Sequence, residues 1–189
     1  MTASSIRVVA FVGLAVLCGR SMALSVPELE RLLQASPRES VSFVETRESP
    51  WLTLPVQSTG TMRSGPDVLE KRVVTPRIET WRMLPDRVEW VGPGGTTTRQ
   101  MLFSQSPGLA VLADTLRRVV AGDLANLDRT FSMETRGNDA NWILRMNPRG
   151  GDAARYLDHV EIEGGRGEMR VISVVERQGE RTTTRLQSR

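Results

Sequence analysis

From residue 40 to about residue 103 the chain runs in short alternations of apolar and polar positions separated by turn residues, the rhythm of an antiparallel meander. The stretch Gly60 to Val74 organises it. Met62, Leu69, Val73 and Val74 sit among Thr, Arg, Glu and Lys, and the Gly65-Pro66 step splits the run into two extended arms of a hairpin. Ser40 to Arg47 predicts the strand before it. Trp51 to Pro55 reads as a loop or sheet edge, because Pro55 has no amide to give to a ladder. Ile78 to Met83, Arg87 to Val91 and Thr96 to Phe103 continue the meander, with Pro85-Asp86 and Gly92 to Gly95 as its turns. Within Arg87-Val88-Glu89-Trp90, Val88 and Trp90 share one face and Arg87 and Glu89 the other, so one face of the sheet is broad and apolar.

The same rhythm returns after Leu127. Phe131 to Thr135 and Asn141 to Met146 predict a hairpin turning at Arg136 to Asp139, with Trp142, Leu144 and Met146 on one face. Asp158 to Glu163, Glu168 to Arg177 and Arg181 to Leu186 complete the sheet, turning at Gly164 to Gly167 and at Gln178-Gly179. All connections are short, which makes the sheet antiparallel.

Helical spacing occurs in two main places. Ser25-Val26-Pro27-Glu28 has the form of a capping box, Leu29, Leu32 and Leu33 follow at i, i+3 and i+4, and Pro37 stops the helix. Ser106-Pro107 opens a longer helix whose Leu109, Leu112, Leu116 and Val119 or Val120 run down one side to Gly122. Some sixteen residues at about 1.5 Å each reach roughly 24 Å, enough to lie across about five strands as a lid. Asp152 to Tyr156 predicts one further helical turn.

Composition changes this picture mainly at the N-terminus. With 189 residues, 39% of them hydrophobic and 25% charged, the chain suits one domain with a real core. Arg7, the ten residues Val8 to Leu17 without a polar side chain, and Ser21-Met22-Ala23 form a signal peptide over residues 1–23, cleaved near Ala23 and too short to span a bilayer. Residues 24–189 are then a single exported domain. Cys18, the sole cysteine, lies in the removed segment, which leaves the mature protein without thiol or disulfide chemistry. A lipid-modified Cys18 is the rival start, disfavoured by Leu17 where such signals want a small residue. Cleavage removes Arg7 and Arg20 and no acid, leaving 23 Lys+Arg against 22 Asp+Glu, so the net charge falls from +3 to +1. The arginines are interleaved with acids, and no nucleic-acid partner is expected.

No constellation for catalysis stands out. His159 is the sole histidine and has no nucleophile motif to serve, and with no mature cysteine a zinc or redox-metal site lacks ligands. Glu161 and Glu163 share a strand face that reads as solvated, and Gly92 to Gly95 lacks the lysine and helix of a phosphate loop. Neither metal nor cofactor is expected. Trp81, Trp90 and Trp142 fall in strand patterns, where they either fill the core or line a space for an apolar ligand.

Several stretches together resemble the LolA family of periplasmic lipoprotein carriers, above all its branch associated with aryl polyene pigment clusters. They are Phe43 with Glu45 and Arg47; Ser58 to Met62 followed by Pro66-Asp67-Val68-Leu69; Thr75-Pro76; and Trp142 to Pro148. The resemblance covers nearly all of the mature chain. It implies an α+β fold, an antiparallel open half-barrel with amphipathic helices as a lid over an apolar cavity, and no enzymatic activity. It implies a monomeric periplasmic carrier that binds the acyl chains of a lipoprotein, a lipid or a polyene lipid, taking them from an inner-membrane donor complex to an outer-membrane acceptor. Leu69, Trp81, Trp90, Leu109, Leu112 and Leu116 are the expected cavity-lining residues. The chain departs from the family pattern at Gly65, where a basic residue usually precedes the hairpin proline, and at Leu69, where an aromatic often sits. Two alternatives stand beside the carrier. One is a cofactor-independent enzyme of pigment or lipid biosynthesis on the same fold, which would need Arg and Glu side chains pointing into the cavity. The other is a lipoprotein-binding sensor module.

Overall fold

The computed structural model describes residues 24–35, 40–95 and 98–187. The expected signal segment 1–23 with Cys18, and Pro37 as the expected helix terminator, lie outside the described residues. The described chain is α+β. Helix α1 (Val26–Ala35) precedes β1 (Ser40–Glu48), β2 (Val56–Ser64), β3 (Leu69–Thr75), β4 (Glu79–Met83), β5 (Arg87–Val91) and β6 (Thr98–Leu102). A 3-10 turn leads into α2 (Pro107–Ala121), and a second leads to β7 (Phe131–Asn138) and β8 (Asn141–Pro148). The short α3 (Gly151–Tyr156), then β9 (Leu157–Gly165), β10 (Glu168–Glu176) and β11 (Arg181–Gln187) complete it.

The strands form one antiparallel sheet in the order β6-β5-β4-β3-β2-β1-β11-β10-β9-β8-β7. Two meanders are therefore joined at the middle by the pairing of β1 with β11, Phe43 opposite Leu186 and Glu45 opposite Thr184. The free edges are β6 and β7, which do not pair with each other, so the barrel stays open.

The core is divided. One cluster gathers Leu29, Val119, Phe131, Trp142, Leu144, Met146, Val160 and Ile162 between α1, α2 and the β7–β10 strands. The second gathers Val41, Phe43, Met62, Leu69 and Val73 on β1 to β3. Leu116, Val120 and Leu186 touch both.

Local signals carry the helix ends unevenly. Glu28 accepts the Ser25 backbone N–H at 2.9 Å and the Ser25 hydroxyl at 2.6 Å, the back-reaching half of a capping box, and these bonds hold its carboxyl below the usual range. Ser106 is the N-cap of α2 but its hydroxyl makes no capping bond. The C-terminus closes as a Schellman motif: Gly122, at φ 72°, bonds to the Val119 carbonyl and Asp123 to that of Arg118.

Two hairpins turn later than the glycines suggest. The β7–β8 turn falls at Asp139-Ala140 rather than Arg136 to Asp139, because the Asn138 side chain accepts the backbone N–H of Ala140 (3.0 Å) and Asn141 (3.2 Å) and closes the turn itself. The β9–β10 turn is only Arg166-Gly167, both at positive φ, while Gly164 and Gly165 remain in β9. Gly164 is there to admit the Trp142 ring: a Cβ on it would stand 2.3 Å from Trp142 Cζ2 and 2.1 Å from the Glu168 carbonyl oxygen. Gly164→Ala must therefore displace the largest core side chain or the strand, at a cost of about 2–4 kcal/mol. Urea unfolding followed by tryptophan fluorescence should show a lower midpoint with an unchanged slope.

Candidate functional site

Between the two clusters, under α2, lies a trough of about 370 Å³, at the small end of the roughly 300–1,000 Å³ typical of ligand sites. Leu109, Leu112, Leu116 and Val120 hang from α2 as its roof, Met62, Leu69, Trp81 and Met83 form one wall, and Ile172 and Val174 the other. The sequence of α2 keeps this space open. Its fully buried positions are Ala113, Thr115 and Val119, the small or short residues that allow the helix to sit close on the core. Its leucines lie on the same side of the helix nearer the seam and remain only half-buried: Leu112 and Leu116 pack against the first cluster on one flank and face the trough on the other.

Both ends of the roof are fixed to the β7–β11 half of the molecule. The Tyr156 ring of α3 lies against Gly108, and Leu33 of α1 lies against Gly122, whose carbonyl accepts the Gln34 side-chain amide at 3.3 Å. A helix seated this way is a fixed roof over one half and a leucine-lined overhang over the other.

The floor is not uniformly apolar. Cross-strand register builds rows that grow more polar toward the β10–β11 turn. Phe43 stands opposite Leu186; Glu45 opposite Thr184, itself opposite Ile172; Arg47 opposite Thr182, itself opposite Val174; Glu176 and Glu180 lie beyond. Lys71 Nζ donates to both Glu45 carboxylate oxygens, at 2.5 and 2.6 Å, and the Thr184 hydroxyl donates to Glu45 Oε2 at 2.8 Å. The Lys71 and Glu45 side chains are each 15% exposed, and the ammonium sits 5.1 Å from the centre of the Phe43 ring. Arg47 pairs with Glu180 at 2.6 Å. Burial, reinforced by the neighbouring Glu180 carboxyl, holds the Glu176 carboxyl above the usual range, with Arg47 pulling the other way.

Of the six residues expected to line a cavity, Leu69, Trp81, Leu109, Leu112 and Leu116 surround the trough. Trp90 does not. It stands opposite Trp81 with ring centres 6.3 Å apart, but β5 lies too near the sheet edge, and its ring covers Gly92 and stacks near the Arg99 guanidinium, 5.5 Å away. The Nε1 groups of both tryptophans donate to Glu79, at 3.1 and 3.0 Å. Reasoning from the sequence missed the polar floor. Its signal was present: Lys71 is the sole lysine among 25 basic residues, and it occupies an inward position between Leu69 and Val73.

The model of a family described as outer membrane lipoprotein carrier protein LolA-like matches residues 20–188. Among solved structures, a LolA superfamily protein from Nitrosomonas europaea aligns over 88% of this chain and 93% of its own at 10% identity and a TM-score of 0.45. A DUF1329 family protein from Desulfovibrio piger aligns over 86% and 90% at 10% identity and a TM-score of 0.46. No curated protein matches the sequence.

Two stability measurements test the polar floor. Lys71→Met strands the Glu45 carboxylate beside apolar walls with one hydroxyl for company and lowers stability by about 2–4 kcal/mol. The double variant Glu45→Gln/Lys71→Met regains most of that loss in urea unfolding. Glu176 binds its proton more tightly in the folded chain than in the unfolded one. Its contribution is present below the unfolded value and is lost as pH rises through the folded value. Glu176→Gln should therefore match the parent at about pH 3.5 and exceed it at about pH 7.5, as read from urea midpoints across that range.

Proposed function

This chain belongs to the LolA-like family of outer membrane lipoprotein carrier proteins, and from that membership and the trough under α2 we propose that it is a periplasmic carrier of acyl chains. The cargo is the lipid part of a lipoprotein, a free lipid or a polyene lipid, moved from the inner to the outer membrane after the signal segment is cleaved near Ala23. The observation that carries the reading is the roof of half-buried leucines over a space that the core leaves vacant. Sheltering an acyl chain from water is worth about 0.8 kcal/mol per methylene, so about ten methylenes gain roughly 8 kcal/mol before ordering costs. Transport of this kind needs no cofactor. Among the described residues, no helix is long and apolar enough to cross a membrane.

An inner-membrane donor complex and an outer-membrane acceptor are the partners this role requires. Trp51, Leu54 and Ile78 are 79%, 75% and 53% exposed on the neighbouring β1–β2 and β3–β4 loops, and they supply an apolar contact for them.

A cofactor-independent enzyme on the same fold is the second reading, favoured by the inward Glu45, Arg47, Lys71, Glu176 and Glu180. The carrier is preferred because both cations are already matched to carboxylates and the Thr184 hydroxyl is committed to Glu45. Ligand recovered unchanged in mass after prolonged incubation supports the carrier; a shifted mass supports the enzyme.

Leu112→Glu places a charge in the roof without touching the sheet. Uptake of the neutral fluorophore N-phenyl-1-naphthylamine should fall at least tenfold and co-purifying lipid should disappear from native mass spectra, while the far-ultraviolet dichroism stays that of the parent. Unchanged uptake would place lipid binding elsewhere.

A further inference from the structure

The trough has the polarity of an amphiphile built into its floor. Along three adjacent strands the inward residue changes from apolar to polar in the same direction: Phe43, Glu45, Arg47 on β1; Leu186, Thr184, Thr182 on β11, with Glu180 just before it in the turn; Ile172, Val174, Glu176 on β10. Exposure rises along the same path, from 1% at Phe43 to a side chain 56% exposed at Arg47. A uniformly apolar occupant would gain nothing at this end and would desolvate charged groups there. An amphiphile entering tail-first would keep its head among groups able to bond it.

Charge accounting within the trough narrows the head. Five charged side chains face it: Glu45, Glu176 and Glu180 against Arg47 and Lys71. Lys71 is held by Glu45 and Arg47 by Glu180, so the second cation each carboxylate could use is absent, and Glu176 meets the Glu180 carboxyl instead. A carboxylate or phosphate head would find both cations engaged and a carboxyl pair facing it. An ammonium head can bridge the Glu176 and Glu180 carboxylates at the mouth of the trough.

We propose that the end of the trough formed by Arg47, Glu176, Glu180 and Thr182 is a head-group subsite that orients a single-chain amphiphile tail-first under α2 and selects a hydrogen-bond-donating, cationic head over an anionic one. The inference rests on the carrier reading and adds to it the direction of insertion and the charge of the cargo.

Three probes that share one tail, dodecylamine, dodecanol and dodecanoate, are titrated below their aggregation limits against the purified protein preloaded with N-phenyl-1-naphthylamine. Dodecylamine should displace the fluorophore at least tenfold more tightly than dodecanoate, with dodecanol between them. Glu176→Gln/Glu180→Gln should reduce that preference to less than threefold, and unchanged dodecanol binding by the variant shows that the tail site is intact. Equal affinity for amine and carboxylate, or a preference for the carboxylate, overturns the head-group subsite and leaves the carrier standing. Failure of all three to displace the fluorophore overturns both. Should the double variant not fold, the tenfold preference of the unaltered protein decides the matter alone.

Discussion

The position of α2 follows from one topological constraint, and most of the molecule follows from α2. Because β1 and β11 pair in the middle of the sheet, its two free edges are β6 and β7, and α2 with its flanking 3-10 turns is the segment that connects them. A connection between opposite edges of one sheet has to cross a face. A helix with an apolar stripe can cross only the apolar one. Eleven curled strands enclose more width than one helix can fill, so the core separates into two clusters and the seam between them stays partly vacant.

The two sides of that seam are built differently. On one side α2 is seated on α1 and α3 through contacts at Gly122 and Gly108, and the cluster below includes Trp142, Phe131 and most of the fully buried aliphatic residues. On the other, only the roof leucines reach across, and the wall depends on how β1, β2 and β3 curve. There the Phe43 ring lies over Gly60, where any β-carbon would also strike the Arg72 carbonyl. The Lys71 ammonium lies over that ring, and its bond to Glu45 joins β3 to β1 across β2. A charged clasp spanning three strands thus sets one wall of an otherwise oily space.

Much of this was legible in the chain. The strand rhythm located every strand within a few residues, and the spacing of Leu109, Leu112 and Leu116 identified the lid, because periods of 2 and 3.6 are written directly in the order of residues. Glycine was misleading where it served packing rather than turning: Gly164 reads as turn material and is in fact the seat of Trp142, a partner twenty-two positions away in sequence. Trp90 failed in the same way, since nothing local distinguishes a tryptophan one strand from the edge from one beneath the helix. Strand order, which decides both cases, is a property of the whole sheet. The division of the core was equally invisible, because the half-buried state of Leu112 and Leu116 depends on the vacant seam beside them rather than on their own character.

The polar floor requires a different kind of explanation from the rest. A largely buried ion pair contributes little net stability compared with apolar residues of the same shape, because desolvation offsets most of the attraction. Methionine and leucine at positions 71 and 45 would continue the alternation of their strands and enlarge the second cluster, so folding alone does not ask for charge there. Nor does a simple hydrocarbon cargo, which any dry cavity would hold. What the charges do supply is direction: they make one end of a greasy trough unable to accept a methylene chain without penalty, while leaving hydrogen-bond acceptors free at that end. A site with that property distinguishes the two ends of its occupant, and under the proposed carrier role it would keep the tail beneath the roof while the head stays near the opening.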